Sequence, residues 1–210
     1  MISAEQIEQG YPSTGLAVAG PNARTVASFR ASGALVYGEI GVYEADTALA
    51  IAQELGGRGE IHLFDFEDKV GAAVQRLASA GYENVVAHPN SRKLLDSYNW
   101  SLMALLRERE QPLFDYVFLD GAHTWAVDAL AFLLVDRLLK AGGLIEFDDY
   151  HWTIERSPSM NRAAFPASDR MYTREQMGER QVALVVDLLV RRDKRYEELV
   201  ENRLFRKLAV

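Results

Sequence analysis

Three carboxylates stand at the ends of two apolar runs. Asp120 follows Phe114–Leu119, and Asp148 and Asp149 follow Leu144–Phe147. Carboxylates converging on one rim repel one another and are costly unless a cation sits among them. Oxygen ligands of this kind suit Mg²⁺, Ca²⁺ or Mn²⁺. The plainer alternative makes Asp120 a cap for the helix opening at Thr124 and the Asp148-Asp149 pair a turn cap. Two histidines lie close by in sequence: His123, three past Asp120, and His151, two past Asp149. An imidazole titrates near neutrality, so either suits a general base, and His151 also suits a fourth ligand. A second set of residues follows an earlier run. Glu39, Gly41, Tyr43 and Thr47 span a strand-to-helix turn, and Asp65 with Phe66 closes the next strand. Glycine in such a turn lets backbone approach a ligand, and the helix N-terminus beyond it favours an anion. An acid at Asp65 can take both hydroxyls of a ribose, and Phe66 can cover an adenine face.

These residues need a scaffold that brings strand ends together. Apolar runs at 34–40, 60–64, 84–88, 114–119 and 144–147 read as strands. Helical spacing separates them, with Ala48, Ile51, Ala52 and Leu55 on one face, then Val70, Val74, Leu77 and Ala78. A helical stretch runs from about Arg92 to Glu110. The helix after Asp120 is expected to bury Ala126, Ala129, Leu130, Leu133 and Leu134, and Lys140–Gly143 to turn into the fifth strand. Alternating strands and helices at this spacing indicate an α/β chain with a doubly wound, mostly parallel sheet. Near-continuous apolarity in the strands fits a sheet covered on both faces. In such sheets ligands sit outside the carboxyl ends of the strands, where these acids fall. Residues 150–174 read as irregular, 181–191 as an amphipathic helix with Leu184, Val185, Leu188 and Leu189, and 196–201 with 204–208 as an antiparallel hairpin.

Composition narrows the function. The chain has 210 residues, 49 % hydrophobic and 25 % charged, which fits one folded domain. With no cysteine there is neither a disulfide framework nor a thiolate site. The net charge of −7 argues against a nucleic-acid partner. No apolar run is long enough for a membrane span, and the polar start is unlike a secretion signal, so a cytoplasmic location is expected. A small-molecule substrate is the expected partner, and a homodimer is compatible with this composition.

The turn at Gly41 separates two cofactor classes. A pyrophosphate wants Gly-x-Gly-x-x-Gly, but Tyr43 and Asp46 stand at the second and third glycine positions. The carboxylates at Glu44 and Asp46 suit a ligand with sulfonium and ammonium charges better. Here the chain resembles the class I S-adenosylmethionine-dependent methyltransferases over roughly residues 34–150. Their first motif reads acid, x, Gly, three residues, Gly, x, Ser/Thr, matching Glu39, Gly41 and Thr47, with Ala45 for the second glycine. Asp65 matches the ribose-binding acid, and Asn90-Ser91 the polar position near the adenine amino group. Leu139–Gly143 resembles the Leu-x-Pro-Gly-Gly turn, with Ala141 for proline. The stretches Leu119–His123 and Phe147–Tyr150 resemble the divalent-metal-dependent O-methyltransferases, including sugar O-methyltransferases of antibiotic pathways. That resemblance implies a Rossmann-like methyltransferase fold whose seven-stranded sheet ends in an antiparallel hairpin. It also implies S-adenosyl-L-methionine lined by Glu39, Gly41, Tyr43, Thr47, Asp65, Phe66, Asn90, Ser91 and Asp120. A metal, Mg²⁺ first, would be held by Asp120, Asp148 and Asp149, with His123 or His151 catalytic.

A single domain over 1–210 is expected, with 1–33 a cap, 34–149 the cofactor core, 150–175 a substrate lid, and 176–210 a helix and hairpin. Trp125, Tyr150 and Trp152 flank the same rim, and Tyr11-Pro12-Ser13 is a candidate for the opposite wall; His62 and His88 are expected to be structural. Three rivals follow from the same residues. A haloacid-dehalogenase-type phosphohydrolase is disfavoured by motif order, and an NAD-dependent oxidoreductase by Tyr43 and Asp46. A non-catalytic adenosyl-binding protein is permitted by Ala45 but not favoured by three intact acids.

Overall fold

The computed structural model describes residues 20–93 and 95–209. Tyr11-Pro12-Ser13 lies outside them. Five parallel strands, β1 (Val36–Ile40), β2 (Glu60–Phe66), β3 (Val85–Asn90), β4 (Phe114–Leu119) and β5 (Leu139–Phe147), are joined by β6 (Tyr196–Val200) and β7 (Leu204–Lys207). The seven-stranded sheet has the order β3-β2-β1-β4-β5-β7-β6, with β7 antiparallel to β5 and β6. The expected doubly wound α/β sheet with its C-terminal hairpin is therefore observed. The switch point lies between β1 and β4, whose connections run to opposite sides of the sheet.

Helices cover both faces. The first core packs α1 (Ala23–Ser32), α2 (Asp46–Leu55) and α3 (Glu67–Ser79) against Tyr37, Ile61, Leu63, Tyr116 and Phe118. The second packs α4 (Tyr98–Glu108), α5 (Trp125–Leu138) and the helix from Gln181 against Ile40, Phe64, Val117, Leu119, Ile145 and Phe147. β4 thus gives alternate side chains to two interiors, so its run is apolar without interruption. Ala48, Ile51, Ala52 and Leu55 are all buried in α2, as their spacing requires.

Several details differ from the sequence expectation. α5 buries Asp128, Ala131, Phe132, Val135 and Leu138, while Leu130 and Leu133 are 47 % and 52 % exposed. This helix is apolar nearly all round, so periodicity does not single out its inner face. The Lys140–Gly143 turn bulges inside β5: Phe114 pairs with Leu139 and Tyr116 with Leu144. Arg92, Lys93 and residues 95–97 are not helical, and α4 begins at Tyr98 behind a Ser97 cap. The amphipathic helix is α over α8 (Gln181–Val185) and π over Val186–Val190, which turns Val190 inward and leaves Leu188 exposed. The 150–174 segment carries a 3₁₀ turn, Ile154–Arg156, and a short helix α6 (Ser168–Met171), and it runs into α7 (Arg174–Gly178); Ile154 and, in α7, Met177 are buried.

Candidate active site at the strand ends

The ladder continues past the strands and aligns the acids. The Asp120 amide donates to Ile40 O at 2.8 Å, and the Asp148 amide to Leu119 O at 3.1 Å. The Asp120 loop also meets the Gly41 turn directly. Gly41 has φ +86°, and a Cβ there would run into the Asp120 carbonyl. Glycine is therefore required by the neighbouring loop itself, in addition to any ligand.

Asp120 Oδ1 is 3.0 Å from His123 Nε2, and Asp149 Oδ2 is 3.3 Å from the same nitrogen. Among the described residues, Asp120, His123 and Asp149 form the one group whose candidate ligand atoms all lie within 4.8 Å of one another. Burial pushes the Asp120 carboxyl up to about 7, and the Asp148 charge adds to this against the pull of His123. Burial lowers the proton affinity of His123, but its bond to Asp120 and the charges of Asp120 and Asp149 outweigh this and lift it to about 9. Asp149 is also raised, chiefly by burial. A half-buried set with more negative than positive charge, held in place, is the arrangement a cation completes.

Asp148 is placed differently from its neighbour. Its Oδ1 accepts from Arg203 at 3.1 Å and its Oδ2 from Asn22 Nδ2 at 3.3 Å. Arg203 also holds Glu146, Asn22 Oδ1 and Thr25 Oγ1. His151 lies exposed and takes a hydrogen bond from Arg180 at 3.2 Å. The Trp152 ring stands 5.3 Å from that of His123, and Trp125 donates its backbone N–H to Gln181.

The loop from Asp120 to His123 rests on two residues that sequence reading missed. The Tyr98 hydroxyl donates to Asp128 and accepts the Ala122 amide at 3.1 Å. Gly121 leaves the room, since a Cβ there would meet the Tyr98 ring and hydroxyl at 2.5–2.8 Å. An aspartate set into an apolar helix was the available signal. Backbone strain gathers here too: Tyr43, Ala45, His123 and Asp149 have positive φ, and the fifth such non-glycine residue described, Asn202, makes the hairpin turn. Strained residues of this kind cluster where a site over-determines the backbone.

On the β1–β2 side, Glu39 is buried and accepts from the Tyr37 hydroxyl at 2.9 Å; burial lifts its pKa to about 8, against the pull of that bond. Asp65 clamps the turn: its Oδ2 takes the Val42 and Tyr43 amides at 2.8 and 3.3 Å, and its Oδ1 takes the Phe66 amide. Tyr43 is exposed with Lys69 over its ring. Thr47 Oγ1 accepts the Asn22 amide at 2.9 Å. Asn90 is buried with Oδ1 unpartnered, and Ser91 bonds Asp96 through both amide and hydroxyl. His62 and His88 are 2.9 Å apart between Phe64 and Phe114, distant in the sheet from the Asp120 loop.

The family model described as a methyltransferase domain matches residues 39–150, more than half of the chain, and the chain belongs to that family. The match spans both the Gly41 turn and the Asp148-Asp149 pair. Solved structures of similar fold include the Bacillus cereus O-methyltransferase in complex with SAH, at TM-score 0.62 and 16 % identity over 98 % of this chain and 88 % of that one. The O-methyltransferase TomG of Streptomyces achromogenes, involved in tomaymycin synthesis and solved with SAM, aligns at TM-score 0.60 and 18 % identity over 89 % and 78 %. An SAH-bound methyltransferase from Podospora anserina aligns at 0.57 and 17 % over 89 % and 76 %. None of the curated proteins compared with the chain matches it in sequence. No helix among the described residues is long and apolar enough to cross a membrane.

Proposed function

We propose that this methyltransferase moves a methyl group from S-adenosylmethionine to a hydroxyl of a small molecule, with a divalent cation held among Asp120, Asp148 and Asp149. The observation that carries this reading is the convergence of Asp120 and Asp149 on His123 beside the Gly41 turn, with Asp148, held by Arg203 and Asn22, adding its charge to the Asp120 carboxyl. The donor set fits a hard dication such as Mg²⁺, being rich in oxygen and short of positive charge. When bound, the sulfonium supplies an electrophilic methyl, and the dication acidifies and orients the hydroxyl that receives it.

The chain's own residues do the rest. His123 is the base, favoured over His151 because its Nε2 lies at the converging carboxylates; the proton that Asp120 and Asp149 hold on it must leave first, and a cation among those carboxylates would favour that. Tyr98 and Asp128 keep the loop beneath it in place. Arg203 and Asn22 fix the direction of the Asp148 carboxylate. Asp65 spends three acceptor positions on the turn, and a carboxylate has about four, so one remains for a ribose hydroxyl. Glu39, Tyr43, Thr47, Phe66, Asn90 and Ser91 line the rest of the cofactor site in this reading. Segment 150–175, with Trp152 against His123, forms the substrate wall.

Calorimetry tests the reading in two steps. S-adenosylhomocysteine should bind the wild-type protein where NAD does not, and Mg²⁺ should bind wild type but not Asp120→Asn. Absence of S-adenosylhomocysteine binding overturns the cofactor assignment; binding of S-adenosylhomocysteine without any Mg²⁺ site overturns the cation. Methyl-labelled S-adenosylmethionine with a panel of sugars and phenols then finds the acceptor.

A further inference from the structure

Beside the ends of β2 and β3 lies a cavity of about 380 Å³ lined by Glu67, Asp68, Asn90, Ser91 and Arg92. Asn90 is 7 % exposed and its Oδ1 has no partner, while its amide nitrogen donates to Ser91 O. An unmet buried acceptor is stabilised by any ligand N–H that reaches it. Across this cavity lies Arg92. Its guanidinium carbon stands 4.3 Å from the centre of the Phe66 ring, and Nη2 reaches both Asp68 oxygens at 2.9 and 2.8 Å. Both partners are well exposed, and an exposed ion pair adds little to stability. What the pair does is tether a planar cation over the Phe66 ring, next in sequence to the cavity's Glu67 and Asp68.

We propose that Arg92 positions the base of the cofactor: hinged on Asp68, its guanidinium leaves the Phe66 ring and closes on the outer face of the adenine, which lies between them. This rests on the S-adenosylmethionine reading above. Arginine suits the task because its charge is spread over a plane and is weakly hydrated, whereas lysine presents a compact, strongly hydrated point. Stacking reads the face of a base and not its edge, so it adds to the grip without choosing among purines.

Calorimetric titration of S-adenosylhomocysteine and of its deaminated analogue S-inosylhomocysteine into wild type, Arg92→Ala and Arg92→Lys tests this. Arg92→Ala should weaken both ligands about fivefold, the size of one partly exposed cation–π contact. Arg92→Lys should recover little of that loss, and both variants should melt within a degree or two of wild type, given the exposure of the side chain. The proposal is overturned if Arg92→Ala binds within twofold of wild type or more tightly, if lysine restores full affinity, or if the loss is confined to S-adenosylhomocysteine. Failure of wild type to bind S-adenosylhomocysteine would instead overturn the cofactor reading, and this proposal with it.

Discussion

Glu146 on β5 and Asp120 just past the end of β4 are both carboxylates of the central sheet, and their surroundings differ. Glu146, fully buried, receives the Tyr116 hydroxyl, the Thr25 hydroxyl and the Arg203 guanidinium. Its negative charge has a resident counter-charge and its lone pairs are used. Asp120 has His123 for a side-chain partner and faces Asp148 and Asp149 besides. The first arrangement is complete within the chain; the second is balanced only when something is added. A buried acid with all its partners is architecture, and one surrounded by like charge is where chemistry is expected.

The comparison breaks most visibly at Arg203. Arg203→Met leaves Glu146 and Asp148 without their cation and should cost about 3–5 kcal/mol in urea unfolding at neutral pH. A loss below about 1 kcal/mol would show that the network does not depend on its own counter-charge. Asp120→Asn should behave the opposite way. Methyl transfer in the presence of Mg²⁺ should fall by about a hundredfold or more, while unfolding of the metal-free protein changes by less than about 1 kcal/mol, because a repulsive charge leaves together with a hydrogen bond. A destabilisation as large as that of Arg203→Met would erase the distinction.

Glu39 sharpens the comparison, since it is buried with the Tyr37 hydroxyl as its side-chain partner and burial lifts its pKa from 4.5 to about 8. A group raised in the folded state contributes stability that is fully present below its unfolded pKa and is lost as pH rises through the folded value. Glu39 should therefore make wild type less stable between about pH 4.5 and pH 8, and Glu39→Gln should remove that slope. Thermal melting of both proteins at pH 5, 6.5 and 8 checks this; equal slopes would place the Glu39 proton elsewhere. The smallest effect is expected at Ala45, held at φ 60° with its methyl buried. Ala45→Gly relieves left-handed strain of about 1 kcal/mol and gives up a similar sum in methyl burial and chain entropy. The melting temperature should stay nearly constant, and a drop of several degrees would mean that the methyl packs better than its backbone is strained.

The strands and their acidic ends were legible because burial on both sheet faces demands unbroken apolar runs, and polarity returns only where a strand leaves the core. That logic reached Asp120, Asp148, Asp149 and the turn at Gly41. It reached His123 through its distance from Asp120. It did not reach Tyr98 and Asp128, whose partnership bridges 30 positions, nor Arg203, which meets Asn22 across 181. Nothing local marks such pairs. The inner face of α5 was hidden for a different reason: Phe132, Leu133, Leu134 and Val135 are all apolar, so only packing decides which of them face inward. The gap in the glycine motif at Ala45 reads as weakness in the sequence, yet the backbone there keeps the left-handed conformation a glycine would adopt.

The strand order carries a consequence for synthesis. β7 emerges last of the seven strands yet lies between β5 and β6, and the arginine serving Glu146 and Asp148 directly precedes it. A nascent chain that has released only β1 to β5 therefore carries an acid in its interior with no guanidinium to meet it. The five-stranded intermediate should hold that acid protonated or stay loosely packed on the ribosome, and final consolidation should wait for the hairpin to slot in beside β5.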